Sequence, residues 1–230
     1  MKYESITIFG SGADDCVNIY NDNDIFINSS CGRLANTGKA INLVITDGLL
    51  SLDNQLKNLK PAAGLSKNDS FEMRRNKRLI IQRCNIKNIY VSTELSQKII
   101  KDRLIFFNIK YKKLKIINKK NIYLQTIKIL FFQRGFVDMK FFFLAMRALL
   151  LGIIFNKTVS GLYKPSTGII AALIFYKIYN IKLNGIGNQN KSAFYGKEEG
   201  LEEYKFNNIH EKIDKLILTY FHDNGHTNIP

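Results

Sequence analysis

Apolar residues fall along this chain in two distinct rhythms. Short apolar runs of about five residues, each closed by Gly, Asn, Ser or Asp, occur at 5–9, 24–28 and 42–46, and further runs follow at 78–82, 88–92 and 181–184. Runs of that length bounded by turn residues are the mark of strands buried on both faces, as in parallel sheets. Between and after them apolar positions recur at helical spacing, which predicts helices over 49–59, 94–103, 122–135, 137–154, 167–179 and 209–221. Strands alternating with helices predict an α/β fold, a doubly wound and mostly parallel sheet of Rossmann type in a single domain over 1–230. Ligands of such sheets lie beyond the carboxyl ends of the strands, and Ser11, Asn28, Asp47 and Gly187 all fall at such ends.

Length and composition fit that architecture without selecting a function. The 230 residues suit one domain, and 46% apolar content is ample for a core. Cys16, Cys31 and Cys84 form no Cys-x-x-Cys pair and have no histidine nearby, which argues against a zinc site or a disulfide framework and predicts a reducing compartment. The chain enters its first strand at once, with no signal peptide or membrane anchor ahead of it, so a cytoplasmic protein is expected.

Net charge is +15, and much of the excess lies mid-chain, where Lys98, Lys101, Arg103, Lys110, Lys112, Lys113, Lys115, Lys119 and Lys120 are interleaved with apolar residues. Such a face suits anionic lipid headgroups or nucleic acid, or it is an ordinary solvated face in a Lys- and Asn-rich chain. No zinc-finger, RNP-type or helix-turn-helix pattern accompanies it, so no nucleic-acid partner is expected. The most apolar segment, 141–155, is too short to span a bilayer and carries Arg147 at its middle, which predicts a buried or interfacial helix. With Arg134, Lys140 and Lys157 around it, that helix suits peripheral contact with an anionic membrane at the inner face of the cell. Residues 98–157 together read as a basic and apolar helical insertion, a lid or a membrane-facing element.

Chemistry concentrates at three places. Pro165-Ser166-Thr167-Gly168, ahead of an apolar helix and the strand at 181–184, is a phosphate-loop candidate: hydroxyls, backbone N–H groups and the positive helix end all face a bound anion. Pro165 suits the helix's first turn. The first strand ends in Gly10-Ser11-Gly12, where a dinucleotide fingerprint would need a third glycine; Asp15 stands there beside Asp14, and two carboxylates at a helix start repel a pyrophosphate. His210 stands four residues before Asp214, within reach of it across one helical turn, while His222 and His226 fall in a polar tail that reads as solvent-exposed.

These motifs, in this order, resemble those of sialyltransferases. The Pro-Ser-Thr-Gly helix start followed by a strand and a glycine turn is similar to the small sialylmotif of the animal-type enzymes. The 6–12 stretch looks like their opening strand and glycine loop, 24–28 like the following strand that ends in asparagine, and His210 with Asp214 like their late histidine motif and the corresponding histidine of bacterial sialyltransferases. The resemblance covers both ends of the chain and leaves about 50–159 unmatched. It implies transfer of an acidic sugar, sialic acid or Kdo, from its CMP ester to a hydroxyl of a glycan or glycolipid such as lipopolysaccharide, lipooligosaccharide or capsule. It further implies a metal-independent enzyme without a cofactor, in keeping with the absence of an Asp-x-Asp motif. His210 is then the general base, supported by Asp214, and the CMP-sugar is held by Gly10, Ser11, Gly12, Asn28, Thr46, Asp47, Lys164, Ser166, Thr167, Gly168, Gly187 and Tyr195, with Tyr163 and Tyr204 as alternative tyrosines. Two other classes stay open on the sequence: a non-catalytic nucleotide- or nucleic-acid-binding α/β protein, and an NAD-type oxidoreductase.

Overall fold

The computed structural model describes residues 4–10, 20–52, 67–155, 159–186 and 210–226. Six strands form one sheet: β1 (Ser5–Phe9), β2 (Ile25–Ile27), β3 (Ala40–Thr46), β4 (Asn85–Thr93), β5 (Tyr111–Asn118) and β6 (Asn180–Asn184). All pairings are parallel, in the spatial order β5-β4-β3-β2-β1-β6. Among the described residues six α-helices accompany them: α1 (Lys67–Gln82), α2 (Gln97–Phe106), α3 (Lys119–Phe132), α4 (Met139–Ile154), α5 (Thr167–Phe175) and α6 (Glu211–Asp223).

The strand order explains which helix covers which face. From β1 to β5 the chain steps always in one direction, and right-handed crossovers place the connecting elements on a single face. There the 3-10 helix Asn28–Leu34, α1 and α2 pack on Phe9, Phe26, Leu43, Ile45, Ile89 and Val91. Between β5 and β6 the chain returns across the whole sheet in the opposite direction, so α3, α4 and α5 fall on the other face, joined there by α6. They cover Ile6, Ile8, Ile25, Val44 and Tyr90. Burial on both faces is the doubly wound α/β arrangement that the uninterrupted apolar runs announce. Helix α5, Thr-Gly-Ile-Ile-Ala-Ala-Leu-Ile-Phe, is apolar around its whole circumference and accordingly lies buried across β1, β2 and β3.

Two expectations are corrected. Residues 78–82 are not a strand but the end of α1; a short apolar run has no period of its own, and here Ile80 and Ile81 face the core while Arg78 lies over the Phe107 ring at 4.2 Å. Conversely β5 lies within the basic stretch read as helical insertion. It is the sheet's edge, where Lys112, Lys113 and Lys115 take solvent-facing positions and discourage pairing with another chain. Of the expected helix at 49–59 the described part is the 3-10 turn Asp47–Leu50. Helix starts carry their caps: Asn118 accepts from the N–H of Lys120 at 2.8 Å and Asp138 from that of Phe141 at 2.9 Å.

Candidate functional site

The chain leaves β1 towards β2, while β6 arrives on the other side of β1. This reversal makes the carboxyl ends of β1 and β6 the topological switch point of the sheet, where crossovers diverge and leave a crevice. Gly10 follows β1 and donates its N–H to the carbonyl of Asn184 at 2.7 Å. A Cβ on Gly10 would collide with the carbonyl of Gly185, and one on Gly168 would come within 2.8 Å of Ile186 Cγ2. Both glycines therefore let the β1 end, the β6 turn and the start of α5 close on one another, a packing demand independent of any ligand. Ser11, Gly12, Gly187 and Tyr195 lie outside the described residues.

Ser166 is the N-cap of α5, in extended conformation, with Thr167 and Gly168 forming the first turn. Pro165 precedes the cap instead of occupying the first turn as expected, and Lys164 before it is extended, as the residue ahead of a proline must be. The cap's partner is Asp214 on α6, whose Oδ1 accepts from the N–H of Ser166 at 2.9 Å, and the Ser166 hydroxyl also bonds to this carboxylate. Asp214 is only 6% exposed, and burial pushes its carboxyl up to about 6 against the downward pull of the two Ser166 bonds.

The expected support of His210 by Asp214 is accordingly replaced by another arrangement. Asp214 stands on the buried face of α6 with Ile213, Ile217 and Phe221, and the unpaired N–H groups at the start of α5 draw its oxygens. His210 begins α6, and its Nδ1 lies 2.8 Å from the carbonyl of Lys164, with a further bond to the carbonyl of Gly161. A carbonyl only accepts, so the nitrogen facing Lys164 carries the proton. Burial holds the imidazole below its ordinary value of 6.5, reinforced by the charge of Lys164 and opposed by the Lys164 and Gly161 carbonyls, so that the neutral ring is favoured. His222 is exposed beside Asp223, as expected, whereas His226 is not a solvated tail residue: its ring meets those of Tyr176 and Phe221, and its carbonyl accepts from Ile181 of β6.

A second set of polar groups lines the carboxyl ends of β2 to β5. Asn28, directly after β2, adopts the left-handed conformation with φ 49°, and among the described residues its buried Oδ1 meets no partner. Asparagine adopts this conformation more readily than most residues, as Asn36 and Asn108 do here. Thr46 ends β3, and the Asp47 that follows accepts from Thr93 Oγ1 at 3.0 Å and from Lys119 Nζ at 2.9 Å and 3.0 Å. Glu94, the residue after β4, has its carboxyl raised by burial, and one of its oxygens is buried without a partner among the described residues. Lys164 joins the two sets. Its carbonyl holds His210, while its half-buried ammonium is pushed down by burial and feels Lys119, Asp47, Arg74 and Glu94. Tyr123, pushed up to about 12 by burial, lies behind them with its hydroxyl 3.5 Å from the N–H of Val159.

Of the residues expected to form one site, Gly10, Asn28, Thr46, Asp47, Lys164, Ser166, Thr167, Gly168, His210 and Asp214 do lie along this one edge of the sheet. Glu94, Lys119, Tyr123 and Arg74 were not singled out as site residues. The usable signal was position, since Glu94 and Lys119 each stand one residue past the carboxyl end of a parallel strand. In sequence Lys119 is one cation of the basic run and nothing more. No family model, no curated protein and no solved structure matches this chain.

Proposed function

We propose that the chain is a sialyltransferase-like glycosyltransferase, which moves an acidic sugar, sialic acid or Kdo, from its CMP ester to a hydroxyl of a glycan or glycolipid. The observation that carries this reading is the convergence of motifs far apart in sequence. The Gly10 turn, the Ser166-Thr167-Gly168 helix start, the Gly185-Ile186 turn and His210 meet at the switch point of a parallel sheet, with titratable groups of shifted pKa around them. From the end of β6 to that of β3 is three strand spacings, about 14 Å. That length suits an extended nucleotide sugar better than a lone phosphate.

The roles follow from the chemistry. Thr167 and the Lys164 ammonium stabilise the phosphate as negative charge grows on it, while the Ser166 N–H and hydroxyl stay with Asp214. Asn28 Oδ1, a buried acceptor without a donor among the described residues, suits a hydroxyl or amino group of the nucleoside. The acceptor hydroxyl attacks the anomeric carbon, CMP departs with the electrons of the carbon–oxygen bond, and the hydroxyl proton passes to His210, neutral and oriented by the Lys164 carbonyl. The acceptor glycolipid would be met by peripheral contact at an anionic membrane face. Among the described residues no helix is long and apolar enough to cross a membrane.

The test is thermal stabilisation by CMP, CDP, UDP, GDP and NAD side by side, with and without EDTA. A ligand present at about 100 times its Kd adds about 2.7 kcal/mol. CMP should stabilise the protein, and EDTA should leave the shift unchanged. Preference for UDP or GDP with manganese, or for NAD over CMP, would overturn the reading.

A further inference from the structure

Helix α4 has two apolar faces. One, with Phe141, Phe142, Ala145, Leu149 and Gly152, is buried against the rest of the protein. The other runs through Phe143, Leu150 and Ile154 and is turned to solvent, with Phe143 62% and Ile154 68% exposed. At the end of α3 and in the turn after it the Phe131, Phe132 and Phe136 rings stand out at 54%, 74% and 77% exposure. A single exposed aromatic is ordinary; several on one hairpin suit a docking surface.

We propose that this face seats the protein on an anionic phospholipid bilayer, with the α3–α4 hairpin lying in the headgroup region. Charge decides the occupant. Residues 120–155 contain five cations and one carboxylate, Asp138, which is committed to capping α4. Lys140 and Arg147 interrupt the exposed face itself, and Arg134 lies over the Phe131 ring at 5.2 Å. A second copy of the chain would have to bring the same unneutralised cations into the interface, whereas an anionic leaflet attracts each of them. Helix length agrees. Sixteen residues rise about 24 Å, short of the roughly 30 Å hydrocarbon core, so the helix lies in the interface plane and Arg147 extends its guanidinium to the headgroups. The surface is independent of the transferase reading, since it shares no residue with the sheet-edge site beyond the start of α3.

Co-sedimentation tests this with the full chain and vesicles of phosphatidylcholine containing about one-third phosphatidylglycerol, alongside vesicles of phosphatidylcholine alone. The protein should pellet with the anionic vesicles, be released by salt, and pellet weakly with the neutral ones. The triple variant Phe136→Ser, Phe143→Ser, Ile154→Ser should lose binding about tenfold or more, with unchanged circular dichroism and melting because all three side chains are exposed. Arg134→Glu with Lys140→Glu should lose the preference for anionic vesicles. Binding by the triple variant equal to that of the parent would overturn the proposal. So would a parent that ignores both vesicles, or light scattering that shows a parental oligomer dissolved by the triple change.

Discussion

Asp214→Asn should make the protein more stable at neutral pH. The carboxyl of Asp214 is 6% exposed and titrates at about 6 in the folded chain, against 3.8 ordinarily. Its folded value is raised, so the stability it contributes is fully present below pH 3.8 and is lost as pH rises through 6. Two units correspond to about 3 kcal/mol. Asparagine keeps an oxygen for the Ser166 N–H at the start of α5 but bears no charge, so relative to the parent it should gain about 3 kcal/mol between pH 4 and pH 7 and then level off. His210 works in the opposite sense, its depressed value costing stability as pH falls, but it is common to both proteins and cancels in the difference. Denaturant unfolding of parent and variant across that pH range supplies the comparison, at unchanged slope. A gap that does not change with pH, or a variant that loses ground to the parent as pH rises, would refute the placement of a buried, ionised Asp214 at the cap. If the proposed function holds, the stabler variant should also be the poorer enzyme, because a carboxylate kept at such a cost commonly serves a site.

Gly10→Ala should destabilise by about 1 to 3 kcal/mol, read from the denaturant midpoint, because its Cβ meets the Gly185 backbone and a flexible side chain cannot give way there; parental stability would mean that the β1 and β6 turns are not in contact. Thr167→Val should weaken CMP binding by about tenfold or more through loss of one charged hydrogen bond, measured by calorimetry, with folding retained; undiminished affinity would place the phosphate elsewhere.

The fold was legible where a single physical demand acted on a segment. Strand β1 was read with its exact bounds, and β2 and β3 to within two residues, because burial on both faces leaves runs such as Ile-Thr-Ile-Phe between polar turns. Strand β5 was missed because an edge strand answers to water on one side, and Lys-Lys-Leu-Lys-Ile-Ile shows neither a clean alternation nor a continuous run. The end of α1 was misread for the converse reason, since Leu79-Ile80-Ile81 looks the same in a buried helix as in a strand. The members of the candidate site were largely visible, but their pairings were not. Spacing placed Asp214 within reach of His210, and only the approach of α5 to α6 reveals that the carboxylate answers the Ser166 N–H instead. Glu94 and Lys119 needed the sheet order, which brings the ends of β4 and β5 beside Asp47.

The central claim rests most directly on CMP release from CMP-sialic acid and CMP-Kdo, measured against pH for the parent, His210→Ala and His222→Ala. The account predicts turnover of one of these donors and an acid limb with its midpoint below 6.5, because burial depresses the imidazole and only the neutral ring accepts a proton. It predicts a loss of about 100- to 10,000-fold for His210→Ala at unchanged CMP affinity, and none for the exposed His222. Turnover by His210→Ala close to the parental rate, or no release of CMP from either donor by the parent, would contradict it.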